Sequence, residues 1–182
     1  MKTLVVYYSK SGNNKYLARK CIEALGGDIE EITPRMSAFF FQVLSSLTGA
    51  GLGINPLKAD LKEYDRVLLC GPVWMGNLIY PLRSFIKEYN RSINNLIFAT
   101  CCGVDDSEKD SRFGYTRVFS KVRSMAGEKS ILCEAFPIKL VVPEEQRHDN
   151  DALMKARLSD DTFKGEILQR FDNFIKRVKT EV

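Results

Sequence analysis

The sequence has few of the side chains that common catalytic sites use. Its one histidine, His148, lies in the polar stretch PEEQRHDND, which predicts an exposed loop residue and argues against histidine-based catalysis. Its five cysteines show no Cys-x-x-Cys spacing, so a zinc site, an iron–sulfur cluster and a dithiol motif are not expected. We therefore predict reduced thiols and no metal site.

Long apolar runs and stretches of one-signed charge are also lacking. No run of about 18 apolar residues occurs, so no membrane span is predicted, and the start MKTLVVYY has no signal-peptide cleavage pattern. Lys and Arg total 27 against 23 Asp and Glu, a net charge of +4, but the two signs alternate along the chain. This mixture is not typical of a nucleic-acid binder. We expect a cytoplasmic protein without a nucleic-acid partner.

Apolar runs rich in β-branched residues predict the strands. They cover residues 3–8, 66–73, 95–102 and 131–142, with a weaker run over 28–32. The central runs are unbroken rather than alternating, as in parallel strands that are covered on both faces. The sequence therefore predicts a parallel sheet.

Helical spacing of apolar residues appears between these runs. It covers residues 14–25 and 78–89, and it returns between Ile167 and Val178. Strand and helix thus alternate, and right-handed crossovers place helices on both faces of a parallel sheet. We predict the α/β class, a three-layer α/β/α sandwich in which residues 1–182 form a single domain.

One apolar segment does not follow this alternation. Residues 36–56, MSAFFFQVLSSLTGAGLGINP, are aromatic at the start and glycine-rich at the end, and we treat them as an insertion. One interpretation is a core helix that covers the sheet. The other is a hydrophobic flap over a ligand, or a subunit interface that would make the protein a homodimer.

The stretch YYSKSGNNKYLA, residues 7–18, begins as a strand and ends as a helix. The turn between them faces the crevice at the carboxyl edge of the sheet, where ligands of such folds bind. It joins hydroxyl and amide side chains to the N-H groups of a helix N-terminus, which favours a phosphate, although an ordinary capped turn has the same composition. No Gly-Lys-Ser/Thr and no glycine-spaced dinucleotide motif follows.

Two further loops follow predicted strands. GPVWMGN, residues 71–77, places Trp74 between glycines, which suggests a planar aromatic ligand or a tryptophan packed on the sheet. ATCCGV, residues 99–104, is small and polar, and its adjacent Cys101 and Cys102 are either packed or redox-active. Together the three loops predict a site for a phosphorylated flat heterocycle.

These three loops, in this order, resemble those of the flavodoxin family. YYSKSGNNKYLA is similar to the family's phosphate loop and first helix, and GPVWMGN to its tryptophan-bearing flavin loop. The resemblance covers most of the chain and implies a noncovalent FMN on a five-stranded parallel sheet of order 2-1-3-4-5. Two features differ, since Asn14 stands where the family has threonine and the net charge is positive rather than strongly acidic.

The resemblance also implies which residues contact FMN. The phosphate would be surrounded by Ser9, Lys10, Ser11, Gly12, Asn13 and Asn14. The isoalloxazine would be lined by Pro72, Val73, Trp74, Met75 and Gly76, with the Met75–Gly76 carbonyl near N5. Its pyrimidine side would meet Thr100, Cys101, Cys102 and Gly103. Because no cation is apparent beside this third group, we expect a low reduction potential.

Two functions fit this site. The first is an electron carrier that exchanges electrons with a partner protein. The second is an FMN oxidoreductase that takes hydride from NAD(P)H and reduces a quinone or similar small acceptor, which the apolar segment 36–56 favours. A phospho-receiver of similar topology would need acidic residues where the chain has YYSKS and CGPVW, so we reject it.

Overall fold

A computed structural model describes residues 1–35 and 53–180 of the chain. Five parallel strands form the main sheet: β1 (Thr3–Tyr7), β2 (Asp28–Glu31), β3 (Arg66–Cys70), β6 (Leu96–Cys102) and β7 (Ser130–Pro137). A small antiparallel hairpin consists of β4 (Val73–Trp74) and β5 (Asn77–Leu78). The described helices are α1 (Asn13–Leu25), α2 (Tyr80–Tyr89), α3 (Tyr115–Ala126), α4 (Asn150–Lys155) and α5 (Glu166–Thr180).

The strand order of the main sheet is β2-β1-β3-β6-β7, which is the predicted order 2-1-3-4-5 when only these strands are counted. Strands β1, β3 and β6 are buried along their whole lengths, as their unbroken apolar sequences predict. Strand β2 is largely exposed because it forms one edge of the sheet. The prediction of a parallel sheet between two helical layers is confirmed.

Two apolar cores lie on opposite faces of the sheet. Neighbouring residues of β1 point to different layers, so Val5 packs with α1 and α5 while Val6 packs with α2 and α3. Both valines are fully buried. Burial of one such side chain contributes about 1.5–3 kcal/mol, so the layers on both faces stabilise the sheet.

Some predicted boundaries differ from the structure. The run 131–142 leaves the sheet at Pro137, because its neighbour β6 ends at Cys102, directly opposite. Residues Ile138–Val141 form a 3₁₀ turn instead. Helix α2 begins at Tyr80 rather than at residue 78, since Leu78 belongs to the hairpin. Helices α3 and α4 are additions to the three helices predicted above.

Most of the apolar segment 36–56 lies outside the described residues. Its last four residues are described, and there Ile54 is fully buried and bridges Pro34 in antiparallel fashion. The N-H of Asn55 also donates to the carbonyl of Thr33, at 2.8 Å. The described end of the segment thus lies against Thr33 and Pro34, which follow β2. Within 1–35 and 53–180, no helix has the length and apolar character needed to cross a bilayer.

Candidate functional site

The first loop connects β1 to α1. Gly12 has φ of +92° at the helix N-cap, and its N-H donates to the Ser9 hydroxyl oxygen at 3.1 Å. Helix α1 has no side-chain cap and no acidic residue in its first turn. Its N-terminal N-H groups and the positive end of its dipole therefore favour an anion at this point. Lys10 and Ser11 are exposed on the same loop.

Asn14 connects the first loop to the third. Its carboxamide accepts a hydrogen bond from the N-H of Cys101 at 2.8 Å and donates to the carbonyl of Cys101 at 3.1 Å. Strand β3 ends at Cys70, opposite Ala99, so Cys101 extends beyond its neighbour strand on that side. The amide side chain thus replaces the missing peptide of β3, and it lies buried in the protein.

Asn13 makes a similar pair with a different part of the chain. Its side-chain oxygen accepts from the N-H of Leu158 at 3.0 Å, and its nitrogen donates to the carbonyl of Ala156 at 3.4 Å. These residues belong to the crossover segment, residues 138–165, which joins β7 to α5. The carboxamides of Asn13 and Asn14 therefore hold neighbouring segments together, a role that their sequence context did not indicate.

The second loop is the β4–β5 hairpin. Its central residues, Met75 and Gly76, have φ of +49° and +68°, as a type I′ turn requires. A Cβ on Gly76 would lie 2.5 Å from the carbonyl oxygen of Arg112, so the turn packs closely on a neighbouring loop. Asn77 donates from its side chain to the carbonyl of Met75 at 3.1 Å, which fixes that peptide.

Trp74 ends β4 instead of lying in an open loop. Its indole is half-buried and packs against the core that contains α2 and α3, as does the half-buried Val73. Met75, at the tip of the hairpin, is 65% exposed. The hairpin thus presents a partly apolar surface at the carboxyl edge of the sheet.

The third loop follows β6. Thr100 is fully buried, and in the described chain its hydroxyl oxygen has no hydrogen-bond partner. A buried hydroxyl without a partner costs about 1–3 kcal/mol, so Thr100 is a position where a hydrogen bond to a bound group would stabilise the protein. Gly103 has open space around it, since nothing lies within 4 Å of where its Cβ would be.

Two charged pairs fix the chain that follows this loop. Asp105 accepts from the ammonium of Lys139 at 2.7 Å. Asp106 accepts from the guanidinium of Arg170 at 2.7 Å, and Arg170 also pairs with Glu134 at 2.9 Å. The sequence suggested no cation near this loop, but the fold brings two there from distant positions. Both are paired with carboxylates, so neither adds an excess positive charge.

The Asp105–Lys139 pair has a predictable effect on acid stability. The ammonium of Lys139 and hydrogen bonds from Ser107 lower the pKa of Asp105 to about 2. This pKa is below the usual value of about 3.9, so the pair stabilises the fold above about pH 4, and the stabilisation is lost as the pH falls towards 2.

We therefore expect Asp105→Asn to reduce the free energy of unfolding by about 1 kcal/mol at pH 7 and to make its decline between pH 4 and 2 shallower. Urea unfolding at several pH values measures both effects. Asp110→Asn removes an exposed carboxylate nearby and serves as the control. Parallel pH profiles for all three proteins would contradict the prediction.

The cysteines are all free and buried. Burial raises the pKa of the Cys102 thiol to about 12 and that of Cys101 well above its usual value. Both thiols are therefore protonated near neutral pH, and protonated thiols are poor nucleophiles. These environments favour packing over redox activity for the adjacent pair.

We accordingly expect the native protein to react with less than about one equivalent of a thiol reagent such as DTNB within minutes. After denaturation all five thiols should react. Rapid titration of two thiols in the native protein, followed by mass spectrometric assignment to Cys101 and Cys102, would contradict the packing interpretation.

A separate cavity of about 720 Å³ lies along β2. Its lining includes Asp28, Glu30 and Glu31, with Lys58 opposite them. The carboxylate of Glu30 also accepts hydrogen bonds from the N-H groups of Lys58 and Ala59, at 2.6 and 3.1 Å. Because three of the four charged residues of this lining are acidic, it repels a phosphate, and we place the candidate site at the strand-end loops instead. Across the described ranges, no cluster of His, Cys, Asp and Glu is arranged to hold a metal.

Comparison with known proteins gives matches among solved structures. No family model and no curated protein matches the chain. A flavoprotein in complex with FMN from Lactobacillus acidophilus NCFM is 19% identical, with a TM-score of 0.60 over 74% of this chain and 92% of the other. A flavodoxin from Streptococcus pneumoniae TIGR4 is 11% identical, with a TM-score of 0.52 over the whole of both chains. Oxidised flavodoxin 2 from Bacillus cereus is 14% identical, with the same TM-score and coverage.

The low identities restrict what these matches show to the arrangement of the backbone. The strand order of this sheet and its helices on both faces form the flavodoxin-like arrangement. The matches among solved structures agree with it. The chain therefore has the flavodoxin-like fold that the three sequence motifs implied.

Proposed function

We propose that the protein binds FMN noncovalently and transfers electrons through it. The observation that carries this proposal is the pairing of Asn14 with Cys101. It fixes the uncapped end of α1 beside the third loop, where the Thr100 hydroxyl has no partner among residues that the structure describes. A phosphate donor set and an unused buried hydroxyl thus lie on adjacent loops, as a phosphorylated flavin needs.

The chain offers a specific role to each loop. The first-turn N-H groups of α1 bind the phosphate together with the side chains or backbone of Ser9, Lys10, Ser11 and Gly12. Asn13 and Asn14 position that loop, since their carboxamides bond to Ala156, Leu158 and Cys101. When bound, FMN supplies the hydride and electron chemistry that the side chains of this fold lack.

The other two loops would enclose the ring. One part of the ring is lined by residues of the second loop, Pro72, Val73, Trp74, Met75 and Gly76. The Met75 carbonyl, which accepts a hydrogen bond from Asn77, is our candidate acceptor near N5. The pyrimidine side of the flavin meets the third loop, at Thr100, Cys101, Cys102 and Gly103. Because Lys139 and Arg170 are both paired with carboxylates, we retain the expectation of a low reduction potential.

The visible spectrum of the purified protein tests the proposal directly. We expect flavin absorption bands, with FMN released on denaturation and rebound by the apoprotein. A colourless protein that stays colourless after incubation with excess FMN would overturn it.

The five buried thiols suit a reducing compartment, so we propose a cytoplasmic location. We also propose that the chain forms a single FMN-binding domain.

A second candidate function is the reduction of a small acceptor by NAD(P)H. It is favoured by the apolar side chains at the hairpin, where Met75 is 65% and Phe113 46% exposed. Such a surface can stack a flat acceptor, or it can receive a redox partner protein. Steady-state oxidation of NADPH with a quinone separates the two: turnover supports the oxidoreductase, and its absence with a reducible flavin supports the carrier.

Thr100→Val tests whether the buried hydroxyl contacts the cofactor. Valine has the same shape without the unpartnered oxygen, so the apoprotein should keep its stability or gain about 1 kcal/mol. FMN affinity should fall about tenfold, the loss expected for one hydrogen bond. Equilibrium unfolding and quenching of FMN fluorescence measure the two quantities.

Thr3→Val is the matched control, because Thr3 is equally buried but its hydroxyl accepts from Arg66 at 2.8 Å. It should lower stability by about 1–3 kcal/mol and leave FMN affinity unchanged. An apoprotein of Thr100→Val that is less stable than the wild type would indicate that the hydroxyl has a protein partner.

A further inference from the structure

Arg157 lies in the crossover segment at the point where this segment meets the first loop. Asn13 bonds to the residue on each side of it, donating to the carbonyl of Ala156 and accepting from the N-H of Leu158. Asn13 is also the first residue of α1. The backbone at Arg157 is therefore held directly beside the N-terminus of the helix that we assign to the phosphate.

The guanidinium shares a backbone acceptor with Asn13. Its Nη1 donates to the carbonyls of Met154 and Ala156, each at 2.8 Å. The oxygen of Ala156 thus accepts from both Arg157 and Asn13, which brings the two side chains together. Among residues 1–35 and 53–180, no carboxylate forms a salt bridge with Arg157, unlike Arg147 or Arg170.

Other contacts hold the crossover segment on α1. Tyr16 donates to Asp160 at 2.8 Å, and Lys20 pairs with the same carboxylate at 3.0 Å. The ring of Tyr16 also packs edge-on against Phe163, with centroids 5.5 Å apart. The position of the segment therefore does not depend on the charge of Arg157.

We propose that Arg157 is a further ligand of the cofactor phosphate, provided by the crossover segment rather than by the first loop. This inference rests on the FMN-binding function proposed above. A helix N-terminus offers about half a unit of positive charge, whereas a phosphate monoester carries up to two negative charges. A guanidinium without a carboxylate partner supplies the missing charge, and its planar set of N-H donors matches phosphate oxygens.

Arg157→Gln tests this by comparing FMN with riboflavin, which lacks the phosphate. We expect FMN affinity to fall about tenfold to a hundredfold while riboflavin affinity is unchanged. Lys155→Gln is the matched control, because it removes an exposed cation two positions away, and it should alter neither affinity. Fluorescence quenching at fixed ionic strength gives all the constants.

Three outcomes would count against the inference. Equal FMN affinity of Arg157→Gln and the wild type would overturn it and leave the proposed function intact. Equal losses for FMN and riboflavin would also overturn it, since they would indicate a structural effect. A wild-type protein that binds neither ligand would overturn the proposed function together with this inference. If the glutamine variant folds poorly, Arg157→Lys keeps the charge but loses the planar set of donors, and the ratio of its FMN affinity to its riboflavin affinity should lie below that of the wild type.

Discussion

Replacing Asn14 with alanine should lower the free energy of unfolding by about 2–4 kcal/mol, because the N-H and the carbonyl of Cys101 both lose their partner. Both groups lie beyond the end of β3, so no strand can replace the lost carboxamide. Buried backbone groups without partners are among the most costly defects in a folded protein. Urea unfolding of the apoprotein measures the loss.

FMN affinity should fall in the same variant, because Asn14 sets the distance between the phosphate loop and the third loop. Lys15→Ala provides the control, since it alters the next residue of the helix at an exposed position. That variant should stay within about 0.5 kcal/mol of the wild type. If Asn14→Ala is as stable as Lys15→Ala, the connection between the two loops contributes nothing to the fold.

Gly12→Ala should destabilise the apoprotein by about 1–2 kcal/mol through backbone conformation alone. Gly12 has φ of +92°, which residues with a Cβ rarely adopt, yet nothing lies within 4 Å of the added atom. The effect is therefore strain and not a clash. Relief of that strain would rotate the first peptides of α1, so we also expect about a tenfold or greater loss of FMN affinity.

Gly103→Ala is the matched comparison for stability. Its added Cβ also meets nothing within 4 Å, but its φ lies outside the left-handed region. The apoprotein of this variant should unfold within about 0.5 kcal/mol of the wild type. Similar losses at both glycines would show that the turn at Gly12 does not require its conformation.

The elements of the fold were largely predictable because their signals are local. The runs that became β1, β3 and β6 are apolar without interruption, as expected of short strands that are covered on both faces. The end of β7 was not predictable in the same way. Residues 138–142 are as apolar as the strand before them, but their neighbour β6 stops at Cys102 and leaves them no partner.

The candidate site was predictable in location but less so in detail. The turn at Ser9 to Gly12 and the hairpin around Trp74 were recognisable from composition, although the contacts that they make with FMN stay predictions. The amides of Asn13 and Asn14 resemble phosphate donors in sequence, whereas in the structure they bond to segments up to 145 residues away. Hydrogen bonds over such separations depend on the register of the whole sheet.

The sequence by itself determined the five strands of the main sheet, helices α1, α2 and α5, the two-sided burial of the sheet and the donor-rich turn after β1, because hydrophobic period and turn residues act over a few positions. Only the tertiary structure decided which groups meet at the strand ends. It placed Arg157 beside Asn13, and it neutralised Lys139 and Arg170 with carboxylates from another loop. Such contacts arise from packing between distant segments, and no local pattern in the chain encodes them.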